Sequence, residues 1–188
     1  MPSLSPCSGR AMQRCSMIEP VSGEISTLHI DHDVSAFSCG KATLDNWLRT
    51  RALRNQDTGD SRTFVVAEGS QVIGFYALTT ASAARVNLPG HLRRNAPDPV
   101  PLMLLGQLAV ATSHIGRGLG RRLLRDALLR AANASQHVGF RALATHPLDD
   151  GAETFYRKFG FTSAPDTQPR LMVLSLQRLL AAVAASRQ

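Results

Sequence analysis

Lysine is almost missing from this 188-residue chain: Lys41 and Lys158 are the only two. The formal charge of +7, from 21 basic against 14 acidic side chains, is therefore carried almost wholly by arginine. A planar guanidinium matches phosphate oxygens two at a time, so a polyanionic ligand is expected, beside the plainer reading of a soluble basic surface. Cysteine is scarce as well. Cys7, Cys15 and Cys39 have no metal-like spacing, and their odd number argues against a closed disulfide framework. A reducing, cytoplasmic setting and no metal are expected. No run approaches the roughly 18 apolar residues of a membrane span, so no membrane partner is expected. The first 20 residues lack the apolar centre of a secretory leader. Residues 1–22 read as a disordered extension in which Met12 or Met17 could be the native start. Aromatic side chains make up only 5% of the chain, which leaves little for the stacking platforms common in single-strand RNA readers.

What is present suits one globular domain, with 44% apolar and 19% charged residues. The domain is expected over 23–182, with a short tail over 183–188. "EISTLHI" (24–30) alternates as a strand does, and 38–55 carries Leu44, Trp47, Leu48 and Ala52 at helical spacing. Residues 62–86 read as a hairpin turning at Glu68, Gly69 and Ser70. Four prolines over 87–101 predict an exposed basic loop with at most one helical turn. "LMLLGQLAVA" (102–111) predicts a strand buried on both faces at the centre of a sheet. A helix with Leu119, Leu123, Leu124, Ala127, Leu128 and Ala131 on one side follows, with Arg121, Arg122, Arg125 and Arg130 around the other. Then come a strand over 140–148, a short helix over 149–160 ended by glycine, and a last strand over 170–180. The sum is an α/β fold: a central mixed sheet flanked by helices, with one right-handed parallel crossover.

The stretch "SHIGRGLGRRLL" (113–124) places three glycines at the mouth of the central helix. The first amides of a helix have no intrahelical partner and sit at the positive end of its dipole, so an anion fits there. Glycine lets a phosphate approach those amides closely. Two familiar phosphate loops fail the test. Gly120 is followed by Arg121 rather than Lys-Ser/Thr, and the position three after Gly118 is again Arg121.

"LGQLAVATSHIGRGLGRRLLRDAL" resembles motif A of the GNAT acyltransferase superfamily, and "ETFYRKFGF" (153–161) is similar to its motif B helix. Ile115 stands where the family usually has Arg or Gln, while Gly118 and Gly120 keep the spacing. The resemblance implies the GNAT fold and acetyl-CoA as co-substrate. It implies that Gly116, Arg117, Gly118, Leu119, Gly120 and Arg121 hold the pyrophosphate and that Leu108, Ala109 and Val110 meet the pantetheine arm. It also implies that Tyr156 faces the sulfur. A neutral phenol, ordinary pKa about 10, is always available to protonate a departing thiolate.

The acceptor is expected to be an amine, which attacks only when neutral. The central strand offers Gln107 where many family members place an acidic base, and an amide accepts no proton. Nothing in the sequence points to Glu153 or Asp149 in its stead. An α-amine, with an ordinary pKa near 8, needs the least help. Residues 24–180 look like the GNAT toxins of bacterial type II toxin–antitoxin modules, often called TacT-like. That resemblance implies acetylation of the α-amine of aminoacyl-tRNA, a homodimer and a ribbon-helix-helix antitoxin. Lys41, Arg49, Arg51, Arg93 and Arg94 are the candidate tRNA contacts. Two rivals remain open: an ordinary GNAT enzyme acting on a small amine or a protein N-terminus, and a GNAT-like fold that only binds DNA or a partner.

Overall fold

The computed structural model describes residues 23–165 and 167–185. The expected N-terminal extension, with Cys7, Cys15, Met12 and Met17, lies outside the described residues. Seven strands form one sheet in the order β1-β2-β3-β4-β5-β7-β6. They are β1 (Ile25–Thr27), β2 (Arg62–Glu68), β3 (Gln71–Ala83), β4 (Val100–Val110), β5 (Ala142–Thr145), β6 (Thr162–Ser163) and β7 (Met172–Ser175). Only β4 and β5 pair in parallel, through the crossover helix α4. The sheet is mixed and flanked by helices, as the sequence predicts.

The helices are α1 (Ala42–Thr50), α2 (Ala52–Asp57), α3 (Gly90–Arg93), α4 (Leu119–Ala134), α5 (Asp150–Arg157) and α6 (Leu176–Ala185). Helix α4 buries Leu119, Leu123, Leu124, Ala127 and Leu128 against one face of the sheet. At roughly 1.5–3 kcal/mol per fully buried leucine, this stripe anchors the helix firmly. Helices α5 and α6 share that side through Tyr156, Leu176, Leu179 and Val183. On the opposite face two separate clusters form. Helices α1 and α2 cover Val65, Val72, Phe75 and Ala109 at one end. The 85–99 segment covers Val100, Leu102, Ala142 and Ala144 at the other.

Several expectations need correction. Strand β1 is shorter than 24–30. The predicted helix over 38–55 is two helices: 38–41 is not helical, and the chain re-aims at Arg51. The 87–101 segment is not simply exposed, because Leu88, Leu92 and Ala96 are buried beneath its arginines and prolines. Strand β4 is central but not buried on both faces: Met103, Leu104, Gln107 and Leu108 stay half-exposed. The expected strand over 170–180 ends at Ser175, and the chain continues as α6, beyond residue 182. Arg130 does not lie on a solvated face. It is half-buried with its guanidinium 4.1 Å from the Phe64 ring centre, and it pairs with Asp126 at 2.8 Å.

Candidate active site

Strand β4 makes the site by changing partners along its length. Against β3 its register skips Gly106: Leu78 faces Leu105, and Ala77 faces Gln107. Against β5 its pairing stops at Leu105 and Thr145. Beyond that level β4 runs on to Val110 with its β5-side edge unpaired. The two parallel strands part, and a cleft opens between Leu108–Val110 and α5.

At the far end of the cleft Gly116 (φ 82°) and Gly118 (φ 78°) both adopt the left-handed backbone. A Cβ at either position would meet nothing within 4 Å, so glycine supplies conformation there rather than space. Gly118 caps α4, and the helix's first turn closes with Arg122 N–H donating to Gly118 O at 3.2 Å. The amides before it have no partner inside the helix. A cavity of about 490 Å³ opens over them, walled by Val110, Ile115, Gly116, Gly118, Gly120, Arg121 and Phe155. Gly120 keeps its floor low, with the Phe155 Cζ 4.0 Å from where a Cβ would stand. Arg117 and Arg121 are exposed beside it. This concave, amide-lined and basic surface fits a pyrophosphate. Arg122 is not free surface charge, since it donates to the Gly23 carbonyl. Arg121, Arg122 and Arg125 line an adjoining cavity closed by Phe159 and Val183.

Tyr156 lies only 6% exposed in the core on the α4 side, its ring 5.3 Å from Phe155 and 5.4 Å from Phe161. Its hydroxyl lies beside that of Thr145. The Thr145 hydroxyl in turn donates to Leu105 O at 3.0 Å. The phenol is thereby placed at the level at which β4 and β5 part. Burial pushes its pKa up, and the neighbouring Thr145 hydroxyl only partly opposes that. Such a phenol stays protonated and can serve as an acid.

Neither carboxylate near α5 is a spare base. Glu153 is held by Arg157 at 2.5 Å, by Arg170 at 2.9 Å and by Ser163 at 3.1 Å. These partners, Arg157 foremost, lower its pKa to about 2. Asp149 caps α5 by accepting from the Ala152 amide at 2.8 Å and pairs with Lys41 at 3.0 Å, and both contacts lower its pKa. Among the described residues no His, Cys, Asp and Glu side chains gather in a group able to hold a metal ion. No helix among them is long and apolar enough to cross a membrane.

The basic residues singled out from sequence all lie on elements that cover the face opposite α4. Lys41, Arg49 and Arg51 are on or beside α1, and Arg93 and Arg94 are at the end of α3; all five are exposed. Lys41 is engaged by Asp149, and Arg49 donates to Phe37 O at 3.0 Å. Between the two groups Leu104 and Gln107 of β4 stay half-exposed, at the level where β4 and β5 separate, while Thr63 and Ala77 beside them on β2 and β3 are buried. Sequence reasoning missed Thr145 and Phe155. Phe155 carried a signal, as the neighbour of Tyr156; Thr145 carried none.

The acetyltransferase (GNAT) domain model matches residues 59–163. A protein of Mycobacterium tuberculosis described as a tRNA-acetylating toxin is 48% identical over 142 residues, spanning 76% of this chain and 86% of that one. Among solved structures, AtaT complexed with acetyl-methionyl-tRNAfMet is 26% identical with a TM-score of 0.77, covering 84% of this chain and 97% of that one. A tyrosine-to-phenylalanine mutant of AtaT bound to acetyl-CoA and the C-terminus of the antitoxin AtaR is 25% identical with a TM-score of 0.73, covering 86% and 97%. With a family model spanning more than half its length and a relative of this identity and coverage, the chain belongs to the GNAT acetyltransferase family.

Proposed function

We propose that this protein is a toxin that transfers acetyl from acetyl-CoA to the α-amine of an aminoacyl-tRNA, which blocks translation. The observation that carries the reading is the half-exposed stretch of β4 at Leu104 and Gln107, where β4 and β5 part, with exposed arginines on the covers to either side of it. It gives the acceptor end of an RNA a route to the reacting level while its phosphates meet guanidinium groups. The similarity to a tRNA-acetylating toxin and to AtaT with its acetylated methionyl-tRNA supports the same substrate class.

The domain of 23–182 works as one unit in this reading, inside a cytoplasmic enzyme. The amides of Gly116 to Arg121 hold the pyrophosphate, with Arg117 and Arg121 adding charge-assisted bonds. The unpaired edge of Leu108, Ala109 and Val110 offers backbone groups to the pantetheine amides. When bound, acetyl-CoA supplies an activated acetyl group as thioester. Tyr156 donates its proton to the departing sulfur. Lys41, Arg49, Arg51, Arg93 and Arg94 contact the tRNA. A homodimer and a ribbon-helix-helix antitoxin complete the assembly, in keeping with the antitoxin-bound form of AtaT.

Incubating the protein with labelled acetyl-CoA and total charged tRNA tests the reading. Label is expected on the aminoacyl moiety, and expression is expected to arrest bacterial growth unless Tyr156 is replaced by Phe. Labelling of a small amine or a protein N-terminus, with charged tRNA untouched, would establish the ordinary enzyme instead.

A further inference from the structure

We propose that His146 is the general base, its Nε2 taking a proton from the acceptor's α-ammonium. The inference rests on the amine entering over Leu104 and Gln107, as proposed above. Glu153 and Asp149 are held in ion pairs, and Gln107 cannot accept a proton. His146 is the next residue after Thr145, and consecutive side chains at a strand end point to opposite faces. Thr145 therefore faces the α4 side, where Tyr156 lies, while His146 reaches the other side. There it lines a cavity of about 540 Å³ with Ala81, Leu104, Ala144 and Gln168. Thr145, beside the acid, and His146, the base, are thus neighbours in sequence that face opposite sides of the sheet where β4 and β5 part.

The imidazole is oriented for the task. Its Nδ1 lies 2.8 Å from Arg170 O. A carbonyl only accepts, so Nδ1 carries the hydrogen and the neutral ring presents its lone pair at Nε2. Nε2 has no protein partner among the described residues, and the ring is exposed, so a captured proton passes readily to water. His146 is the only titratable side chain among the described residues that line the cavity. The nearby charges are mutually compensated: the Arg170 guanidinium by Asp150 at 2.6 Å and Glu153 at 2.9 Å, and Lys41 by Asp149 at 3.0 Å.

The proton balance closes. His146 removes one proton from the α-ammonium, and the nitrogen lone pair forms the C–N bond to the acetyl carbon. The C–S bond breaks, sulfur takes the Tyr156 proton, and the surplus N–H proton of the new amide restores the phenol through solvent. The imidazolium returns its proton to water, so one proton is released per turnover.

The experiment is the pH dependence of kcat/KM for charged tRNA in the parent and in His146→Gln, with acetyl-CoA affinity measured by calorimetry alongside. Without the base the reaction must draw on the fraction of amine already neutral. The acid limb is then expected to move to higher pH, into the range of α-amines, about 8. The loss should be about tenfold at pH 6.5 and shrink to about twofold near pH 9, with acetyl-CoA affinity unchanged. Added imidazole should restore part of the activity of His146→Ala. A loss of the same size at every pH, an unmoved acid limb, or weakened acetyl-CoA binding overturns the assignment. A parent that acetylates no charged tRNA overturns the functional reading as well; a parent that does so with an insensitive His146→Gln overturns the base alone.

Discussion

Gly118 and Tyr156 respond to replacement in different ways. A methyl group at 118 meets no atom, yet its backbone is held at φ 78°, where an L-residue costs about 1–2 kcal/mol. Gly118→Ala is therefore expected to lower thermal stability modestly and, as the loop relaxes, to weaken acetyl-CoA binding in a calorimeter. An unchanged affinity would mean that the loop amides do not hold the pyrophosphate. At Tyr156 the ring and the hydroxyl have separate duties. Tyr156→Phe keeps the contacts with Phe155 and Phe161, so its stability should fall by no more than about 1 kcal/mol. Loss of the proton donor should slow transfer by about 10²–10⁴-fold. Denaturant melts and single-turnover rates on the same sample separate the two. A purely structural tyrosine would give the reverse pattern, a large melt shift with a nearly intact rate.

Helix α4 carries the phosphate loop, and its seat on the sheet depends on Gly74 of β3. A Cβ there would lie 3.0 Å from Leu123 Cδ1 and 3.1 Å from Leu119 Cδ2. Gly74→Ala makes those two leucine methyls give by a few tenths of an ångström, at about 1–3 kcal/mol for an overpacked contact. It should also raise the KM for acetyl-CoA, although residue 74 is remote from the ligand. Helix α5 is held to the C-terminal part of the sheet by Glu153. Its pKa is depressed from 4.5 to about 2, so its contribution is fully present above the unfolded value and disappears as pH falls through the folded one. Between about pH 4.5 and 2 the amides of α5 should therefore lose hydrogen-exchange protection, and Glu153→Gln should abolish this dependence. The elements themselves differed in legibility. Leucines at helical spacing behind a glycine mouth identified α4, and a Glu-Gly-Ser turn identified the hairpin. "RLMVLSLQRLL" is apolar at either period, so the switch from β7 to α6 at Ser175 was hidden. Leu88, Leu92 and Ala96 were masked by the prolines and arginines around them. The Glu153–Arg170 ion pair and the hydrogen bond that orients His146 join residues 17 and 24 positions apart, and no local pattern encodes such contacts.

At the scale of the molecule the sheet has two unlike sides. One carries α4, α5 and α6 with the glycine loop and Tyr156; the other carries two separate covers with half-exposed Leu104 and Gln107 between them and arginines on both. A donor and an acceptor can therefore approach from opposite sides and meet where β4 and β5 part, without competing for one entrance. The composition pointed to a polyanion, but it could not say which basic residues are still available to one. Lys41 is paired with Asp149, and Arg49 is turned onto the Phe37 carbonyl. Arg51, Arg93 and Arg94 form no ion pair among the described residues, and all three are exposed. RNA affinity should follow that difference. Replacing Arg93 and Arg94 together by Glu should weaken binding of charged tRNA about tenfold or more. It should also flatten the dependence of log K on log salt by about one to two units, since each phosphate contact contributes roughly 0.7–0.9 to that slope. Lys41→Ala should change the slope much less, because its charge is already spent on a carboxylate. Acetyl-CoA affinity should be untouched in the double variant, since Arg93 and Arg94 lie on the far side of the sheet from the loop. Fluorescence anisotropy of labelled tRNA across a salt series measures all of this, and an unchanged slope in the double variant would remove the 85–99 segment from the RNA interface.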